Sequence, residues 1–159
     1  MMRSHRAVHP LLLEPTYWRN RLQELEGVLR SLSLVPRPDL SGNGREVVEF
    51  RLRAHDGQRL WGLLGRSEWH QGDRPAHVRV VGPSERPEID RKALEEGISD
   101  IVLQESAGRR LEDRVLDVVR VCQLAYSTDG IDRSQVSIVP GPARDECLIA
   151  EQLLAGKLC

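Results

Sequence analysis

Aromatic residues make up only 4% of this 159-residue sequence, and its formal net charge is −1. So few aromatic rings cannot form a surface on which nucleic-acid bases stack. A net charge near zero also lacks the positive field that draws nucleic acid or an acidic membrane surface toward a protein. We therefore expect neither nucleic acid nor a membrane among the partners of this chain.

Long apolar runs and paired cysteines are missing as well. No run approaches the roughly 18 apolar residues that a membrane-spanning helix needs. The three leucines at positions 11–13 are too short a run for the hydrophobic region of a secretory signal. The three cysteines, Cys122, Cys147 and Cys159, form neither a C-x-x-C pair nor an even disulfide framework. These absences indicate a reduced, cytoplasmic protein.

The first 34 residues are predicted to hold a tail and a helix. Residues 1–15 are predicted to be a flexible tail; His5 and His9 have the spacing of a metal pair, but no further ligand accompanies them. Over residues 16–34, apolar side chains recur at alternating spacings of four and three, which predicts a helix. This helix either packs on its own domain or forms a homodimer interface, and the sequence leaves both open.

From residue 45 onward the sequence predicts a single α/β domain, 45–159. Alternating apolar residues predict a strand over 46–53, Asp56-Gly57 predicts a hairpin turn, and a return strand follows. The further predicted elements are a strand at 77–81, a helix at 91–96, a buried strand at 100–104, a helix at 109–127, a strand at 135–139 and a helix at 143–155.

Strands and helices alternate along the second part of this domain, and right-handed crossovers then give a parallel sheet. The broad apolar surface of the helix at 109–127 indicates burial between layers. We therefore predict a three-layer α/β/α fold with a mostly parallel sheet, an antiparallel N-terminal hairpin and the extra N-terminal helix.

Residue types that carry chemistry occur singly in this sequence. His55 precedes Asp56 in the hairpin turn, and adjacent turn residues rarely aim at one target, so a plain turn is favoured. Cys122 and Cys147 lie on apolar helix faces and are predicted to be core residues. No G-x-G-x-x-G or phosphate-binding loop is present. We expect no cofactor and no metal.

Three stretches follow patterns of a known family. Residues 50–64 combine an apolar strand, an Asp-Gly turn and a Leu-x-Gly-x-Leu return strand. Residues 113–120 look like the helix before a nucleophile strand, and residues 132–138 look like the lead into a nucleophile elbow. Together they resemble the N-terminal half of the α/β-hydrolase fold, in the group of acetyl xylan esterases and cephalosporin C deacetylases. The resemblance covers residues 46–159.

This sequence departs from the family pattern at the positions where the resemblance implies catalytic residues. The elbow of that fold is G-x-S-x-G, but residues 140–144 read Pro-Gly-Pro-Ala-Arg, with Pro142 at the serine position. Proline has no nucleophile. After the strand at 77–81 the family has His-Gly, whereas Gly82 here follows without the histidine. The triad acid and histidine of that fold come later than the helix at 143–155. We therefore expect no catalytic residue and a pseudoenzyme.

Among functions, the sequence favours a non-catalytic module that acts through protein–protein contacts, as a homodimer or docked on another chain. If the parent strand order is kept, the strand at 135–139 is an edge strand, which natural proteins usually cover or pair. Two alternatives stay open: an esterase with a non-standard or partner-completed site, and a small-ligand-binding domain. In the last case the ligand is expected beyond the carboxyl ends of the strands. Its candidate binding residues are Gly82, Ser84, Glu105, Ser106 and Gly141.

Overall fold

The computed structural model describes residues 32–139 and 145–155. The predicted tail at 1–15 lies outside the described residues. So does the predicted N-terminal helix up to residue 31, together with both alternatives for its role.

Six strands form one mixed sheet within the described part of the chain. In chain order they are β1 (Ser33–Pro36), β2 (Arg45–Arg53), β3 (Arg59–Ser67), β4 (Arg74–Val81), β5 (Ser99–Gln104) and β6 (Ile131–Ile138). Their order across the sheet is β1-β2-β3-β5-β4-β6. The pairs β1–β2, β2–β3 and β3–β5 are antiparallel, whereas β4 runs parallel to both β5 and β6. The predicted antiparallel hairpin and a parallel region are therefore both present. The prediction of a mostly parallel sheet is wrong, because three of the five strand pairs are antiparallel, including the pairing of β3 with β5.

The predicted C-terminal end of the N-terminal helix, at residue 34, is wrong, because β1 already begins at Ser33. Leu34 lies in β1 and pairs with Phe50 of β2. Pro36 explains the difference, because the residue before a proline is pushed out of the helical region toward extended backbone. The ladder with β2 then takes up the extended segment.

The β2–β3 hairpin follows the alternation of its sequence. Phe50 and Leu52 are buried, whereas Arg51 and Arg53 between them are exposed. Gly57 adopts a φ of 84° in the turn, a conformation that glycine reaches without steric cost. Gly62 is required by space instead, because a β-carbon there would collide with the Val102 carbonyl and the Phe50 ring.

Three helices accompany the sheet in the described residues: α1 (Arg91–Glu95), α2 (Leu111–Ser127) and α3 (Asp145–Leu154). The carboxylate of Asp90 caps α1 by accepting from the backbone N–H groups of Lys92 and Ala93. α2 is buried over most of its length and packs on α3, β4, β5 and β6. These helices agree with the predicted ones to within two residues, except that residues 143 and 144 lie outside the described range.

The main core lies between one face of the sheet and helices α2 and α3. Phe50, Leu64, Ile101 and Leu103 from the sheet meet the apolar face of α2 there. Val102 is also fully buried but points to the opposite face, because side chains alternate along a strand. The fold is thus mixed α/β; the three-layer arrangement remains a prediction. No helix in the described ranges is both long and apolar enough to span a bilayer.

The strand predicted at 135–139 begins earlier, at Ile131. After the buried Ile131, residues 132–135 are polar and residues 133–135 are exposed, so this stretch has no apolar alternation that a sequence could display. Asp132 accepts hydrogen bonds from the backbone N–H and hydroxyl of Ser134, at 2.9 and 2.7 Å. The strand predicted at 77–81 likewise begins earlier, because β4 starts at Arg74.

Candidate functional site

The carboxyl ends of β4 and β5 meet at one end of the sheet, as the ligand-binding hypothesis requires. Val81 pairs with Gln104, and the N–H of Glu105 donates to the Val81 carbonyl at 3.0 Å. The Gln104 side chain donates to the Gly82 carbonyl at 2.6 Å. The structure therefore brings the Gly82 and Glu105 loops together. Ser84 is exposed and Ser106 is half-buried.

The third predicted loop follows β6. Gly141 and the elbow position, residue 142, lie outside the described residues. The five predicted ligand-binding residues therefore remain a prediction, with two of their three loops shown to be neighbours.

A buried arginine dominates this end of the sheet. Arg109 is 7% exposed and lies just before α2. Its guanidinium donates twice to the Asp117 carboxylate, at 3.0 and 2.6 Å, and once to Asp56 in the hairpin turn, at 2.5 Å. It also donates to the Gln58 side chain at 3.1 Å. Arg109 thereby ties the tip of the β2–β3 hairpin to α2.

Glu105 lies beside this arginine and is only 2% exposed. Its nearest carboxyl oxygen is 4.0 Å from Arg109 Nε, and neither oxygen has a hydrogen-bond partner within the described residues. Burial, reinforced by the negative charge of Asp117, raises the pKa of Glu105 to about 8. Burial also raises the pKa of Asp117. A protonated Glu105 is then able to donate its O–H to the Asp117 carboxylate.

Arg120, one turn further along α2 than Asp117, is buried as well. Its Nε and Nη1 atoms have no hydrogen-bond partner in the parts of the chain that the structure describes. Burial lowers the pKa of Arg120 to about 10, although the charge of Asp117 opposes that change. Asp117 thus carries the negative charge that balances two buried guanidinium groups.

The second feature of the hairpin tip is a histidine–aspartate pair. His55 Nε2 lies 2.8 Å from Asp113 Oδ1, and the two side chains are 14% and 10% exposed. Asp113 belongs to the first turn of α2. This contact holds the imidazole in one orientation against the first turn of α2.

A ligand atom from each of His55, Asp56 and Asp113 lies within 4.8 Å of the other two. Imidazole and carboxylate groups suit zinc and other transition metals. Each of the three is already paired, however, since Asp56 binds Arg109 and His55 binds Asp113. These contacts account for the cluster as a structural tether of the hairpin.

Sequence reasoning interpreted His55 and Asp56 as turn residues, and both do lie in the turn. It did not find their partners, Asp113 and Arg109, which lie 58 and 53 residues away along the chain. It named Glu105 for its place after β5, not for its burial. No local pattern announces these pairs, because the charged residues look like an ordinary solvated turn and helix start.

The fold is similar to that of solved esterases. An acetyl xylan esterase from a Paenibacillus species superposes with a TM-score of 0.72 at 13% identity, over 95% of this chain and 58% of that one. Acetyl xylan esterase 1 from a Thermoanaerobacterium species gives 0.70 at 15% identity, over 87% and 53%. Brefeldin A esterase, a bacterial protein, gives 0.54 at 16% identity, over 99% and 48%.

This chain therefore has the α/β-hydrolase fold over slightly more than half the length of the acetyl xylan esterases that it matches. That result confirms the resemblance drawn from the sequence. No protein-family model matches the sequence, and no curated protein matches it.

Proposed function

Starting from an α/β-hydrolase fold that spans about half of its esterase neighbours, we propose that this chain is a non-catalytic module that associates with a second copy of itself. The contact runs along the free edge of β6. The observation that carries the proposal is the place of β6, which is the last strand of the described sheet and pairs with β4 only.

The free edge of β6 offers backbone groups to a partner. The Val139 N–H donates to the Val78 carbonyl at 2.9 Å, so odd-numbered residues here turn their backbone groups toward β4. By alternation, Val136 and Ile138 turn theirs away from the sheet. An exposed row of such groups is a template for another strand. Two copies related by a two-fold axis present the same donors and acceptors to each other.

The first half of β6 is less available. Asp132 already accepts from the Ser134 N–H, and its other oxygen accepts from the Gln135 side chain at 2.6 Å. A local cap of this kind competes with an incoming strand. The proposed contact is therefore centred on residues 136–138.

The sequence of the elbow position supports the non-catalytic part of the proposal. Pro142 stands where the family has its serine, directly after the strand that corresponds to the nucleophile strand. We expect no hydrolysis of p-nitrophenyl acetate above the rate in buffer. Saturable turnover that survives purification to constant specific activity contradicts this expectation.

Light scattering coupled to size exclusion tests self-association at micromolar concentration. The wild-type chain is expected to elute as a dimer. Val136→Pro removes an outward N–H that the sheet does not use and should give a monomer, since proline is tolerated on edge strands. Val136→Ala keeps the N–H and serves as the matched control, which should remain dimeric. A wild-type monomer, or equal behaviour of both variants, argues against the proposal.

The perturbed groups near Arg109 favour the catalytic alternative, because strongly shifted pKa values cluster at functional sites. Glu105, with a pKa of about 8, is the residue concerned. This alternative requires hydrolysis of an aryl acetate that Glu105→Gln abolishes without unfolding the chain. Activity that persists in this variant removes Glu105 from the mechanism.

The two cysteines that the structure describes, Cys122 and Cys147, are buried and form no disulfide within the described residues. Buried thiols of this kind are usual in reducing compartments, where disulfides are rare. They support the expected cytoplasmic location, which is part of this proposal. Localisation of a tagged chain by fractionation tests it.

A further inference from the structure

A pocket lies on the sheet face opposite α2, apart from the charged cluster at Arg109. Its volume is about 490 Å³, within the range of roughly 300–1,000 Å³ that small-molecule sites occupy. Strands β2 and β3 form its floor. Its walls are formed by the loop that leads into β2, with Arg37 and Leu40, and by the loop at 86–90 with Arg91 at the start of α1.

The floor of the pocket is apolar. Val47 and Leu63 are buried, and Ile89 from the second loop closes over Gly65. Trp61 lines the pocket and remains 37% exposed, so one part of the indole stays open to solvent. An indole beside aliphatic side chains is a suitable surface for a flat apolar group.

The rim carries positive charge in excess. Four arginines line the pocket, at positions 37, 45, 86 and 91, and Glu88 is the carboxylate among its lining residues. Arg37 is already committed to Asp39 and Glu49, at 2.8 and 3.1 Å.

The remaining arginines are less engaged. Arg45 uses its Nε on the Leu40 carbonyl, at 3.2 Å. Arg86 and Arg91 are exposed, and neither makes a hydrogen bond or a close ion pair in the described parts of the chain, although the positive charge of Arg86 helps to lower the pKa of Asp39. The N–H donors of both guanidinium groups are therefore not used in hydrogen bonds, and guanidinium matches carboxylate and phosphate geometry in pairs of hydrogen bonds.

We propose that this pocket binds a small amphipathic anion, with an apolar or aromatic body on Trp61 and Leu63 and a carboxylate or phosphate held by Arg86 and Arg91. The combination of an apolar floor with a few charged lining residues is typical of small-ligand sites. The site differs from the ligand site expected at the carboxyl ends of the strands, and it does not depend on association through β6.

Isothermal titration calorimetry of the full chain tests this site with four probes. They are 2-naphthoate, 2-naphthyl phosphate, the neutral 2-naphthylmethanol and acetate. We expect 2-naphthoate or 2-naphthyl phosphate to bind at least about tenfold more tightly than the neutral alcohol and acetate. The alcohol lacks the charge that the arginines bind, and acetate lacks the apolar body. A tenfold difference in affinity corresponds to about 1.4 kcal/mol. The ratio between the two naphthyl anions identifies carboxylate or phosphate as the preferred head group.

Substitutions of pocket residues test whether the measured binding takes place in this pocket. Arg91→Gln and Arg86→Gln should each weaken binding of the preferred anion severalfold, and Trp61→Ala should weaken it about tenfold, as loss of aromatic stacking does. Arg59→Gln is the charge-matched control, because Arg59 is exposed on β3, the strand that carries Trp61, and is not among the residues that line the pocket. Far-ultraviolet circular dichroism establishes that each variant is folded.

Three results overturn the proposal. One is the absence of binding heat for both naphthyl anions at millimolar concentration. Another is equal affinity for the anions and the neutral alcohol. The third is a loss of affinity in Arg59→Gln as large as in Arg91→Gln, which indicates attraction by overall charge only.

Discussion

Replacing Glu105 with glutamine removes a buried carboxyl whose pKa the structure raises from 4.5 to about 8. The folded chain holds this proton up to about pH 8, whereas the unfolded chain releases it near its ordinary pKa. Between these values the folded state binds more protons, so stability falls as pH rises. The contribution of Glu105 is fully present below about pH 4.5 and is lost as pH rises through about 8.

The size of the effect follows from the same two pKa values. At about 1.4 kcal/mol for each pH unit, the gap corresponds to an upper figure of roughly 5 kcal/mol. The proton that Glu105 shares with Asp117 reduces this figure, because their titrations are linked. The glutamine side chain imitates the protonated acid: it is neutral and its amide N–H is able to donate to Asp117.

Urea unfolding followed by circular dichroism at pH 5, 6, 7 and 8 measures the effect. The wild-type free energy of unfolding is expected to decrease toward pH 8, while that of Glu105→Gln changes less. At pH 8 the variant should be the more stable protein. Glu151→Gln, at an exposed position on α3, is the control and should follow the wild type. Equal pH slopes for wild type and Glu105→Gln refute this account of the buried cluster.

Two further predictions concern buried groups. Arg109→Met leaves Asp117 and Glu105 buried beside a neutral side chain and releases the hairpin tip, so it should cost about 3–5 kcal/mol, as loss of one partner of a buried ion pair does; urea unfolding checks this, and a loss below about 1 kcal/mol is inconsistent with a central role. Cys122 and Cys147 should resist 5,5′-dithiobis-(2-nitrobenzoate) in the native chain and react after denaturation, since burial raises the pKa of Cys122 to about 12; fast native labelling of either, located by mass spectrometry, contradicts the packed core.

The sequence was sufficient to predict those elements whose burial imposes a period. Phe50 and Leu52 alternate with charged residues and give β2, and the apolar face of α2 gives a helix whose ends differ from the prediction by two residues or fewer. It failed at edges, where one side of a strand faces solvent. β6 begins four residues earlier than predicted, because Asp132, Arg133 and Ser134 are polar and show no alternation with apolar residues in the sequence.

The charged cluster around Arg109 and the arginine-rimmed pocket could not be predicted from the sequence, for a different reason. Arg109 meets Asp56 across 53 residues, and the pocket assembles Arg37, Trp61 and Arg91 from three separate segments. Such contacts depend on strand order and register, which no local spacing encodes. The proline at position 142, in contrast, could be recognised from the sequence alone, because it stands where the family pattern has a serine.

Hydrogen exchange at the amides of β6, resolved by nuclear magnetic resonance, tests association along this edge most directly. The Ser137 N–H faces β4 and should be protected at every protein concentration. The outward N–H groups of Val136 and Ile138 should exchange quickly in dilute protein and become protected as concentration rises through the micromolar range. If their exchange is fast at all concentrations while Ser137 stays protected, β6 has no strand partner and the proposed self-association is wrong.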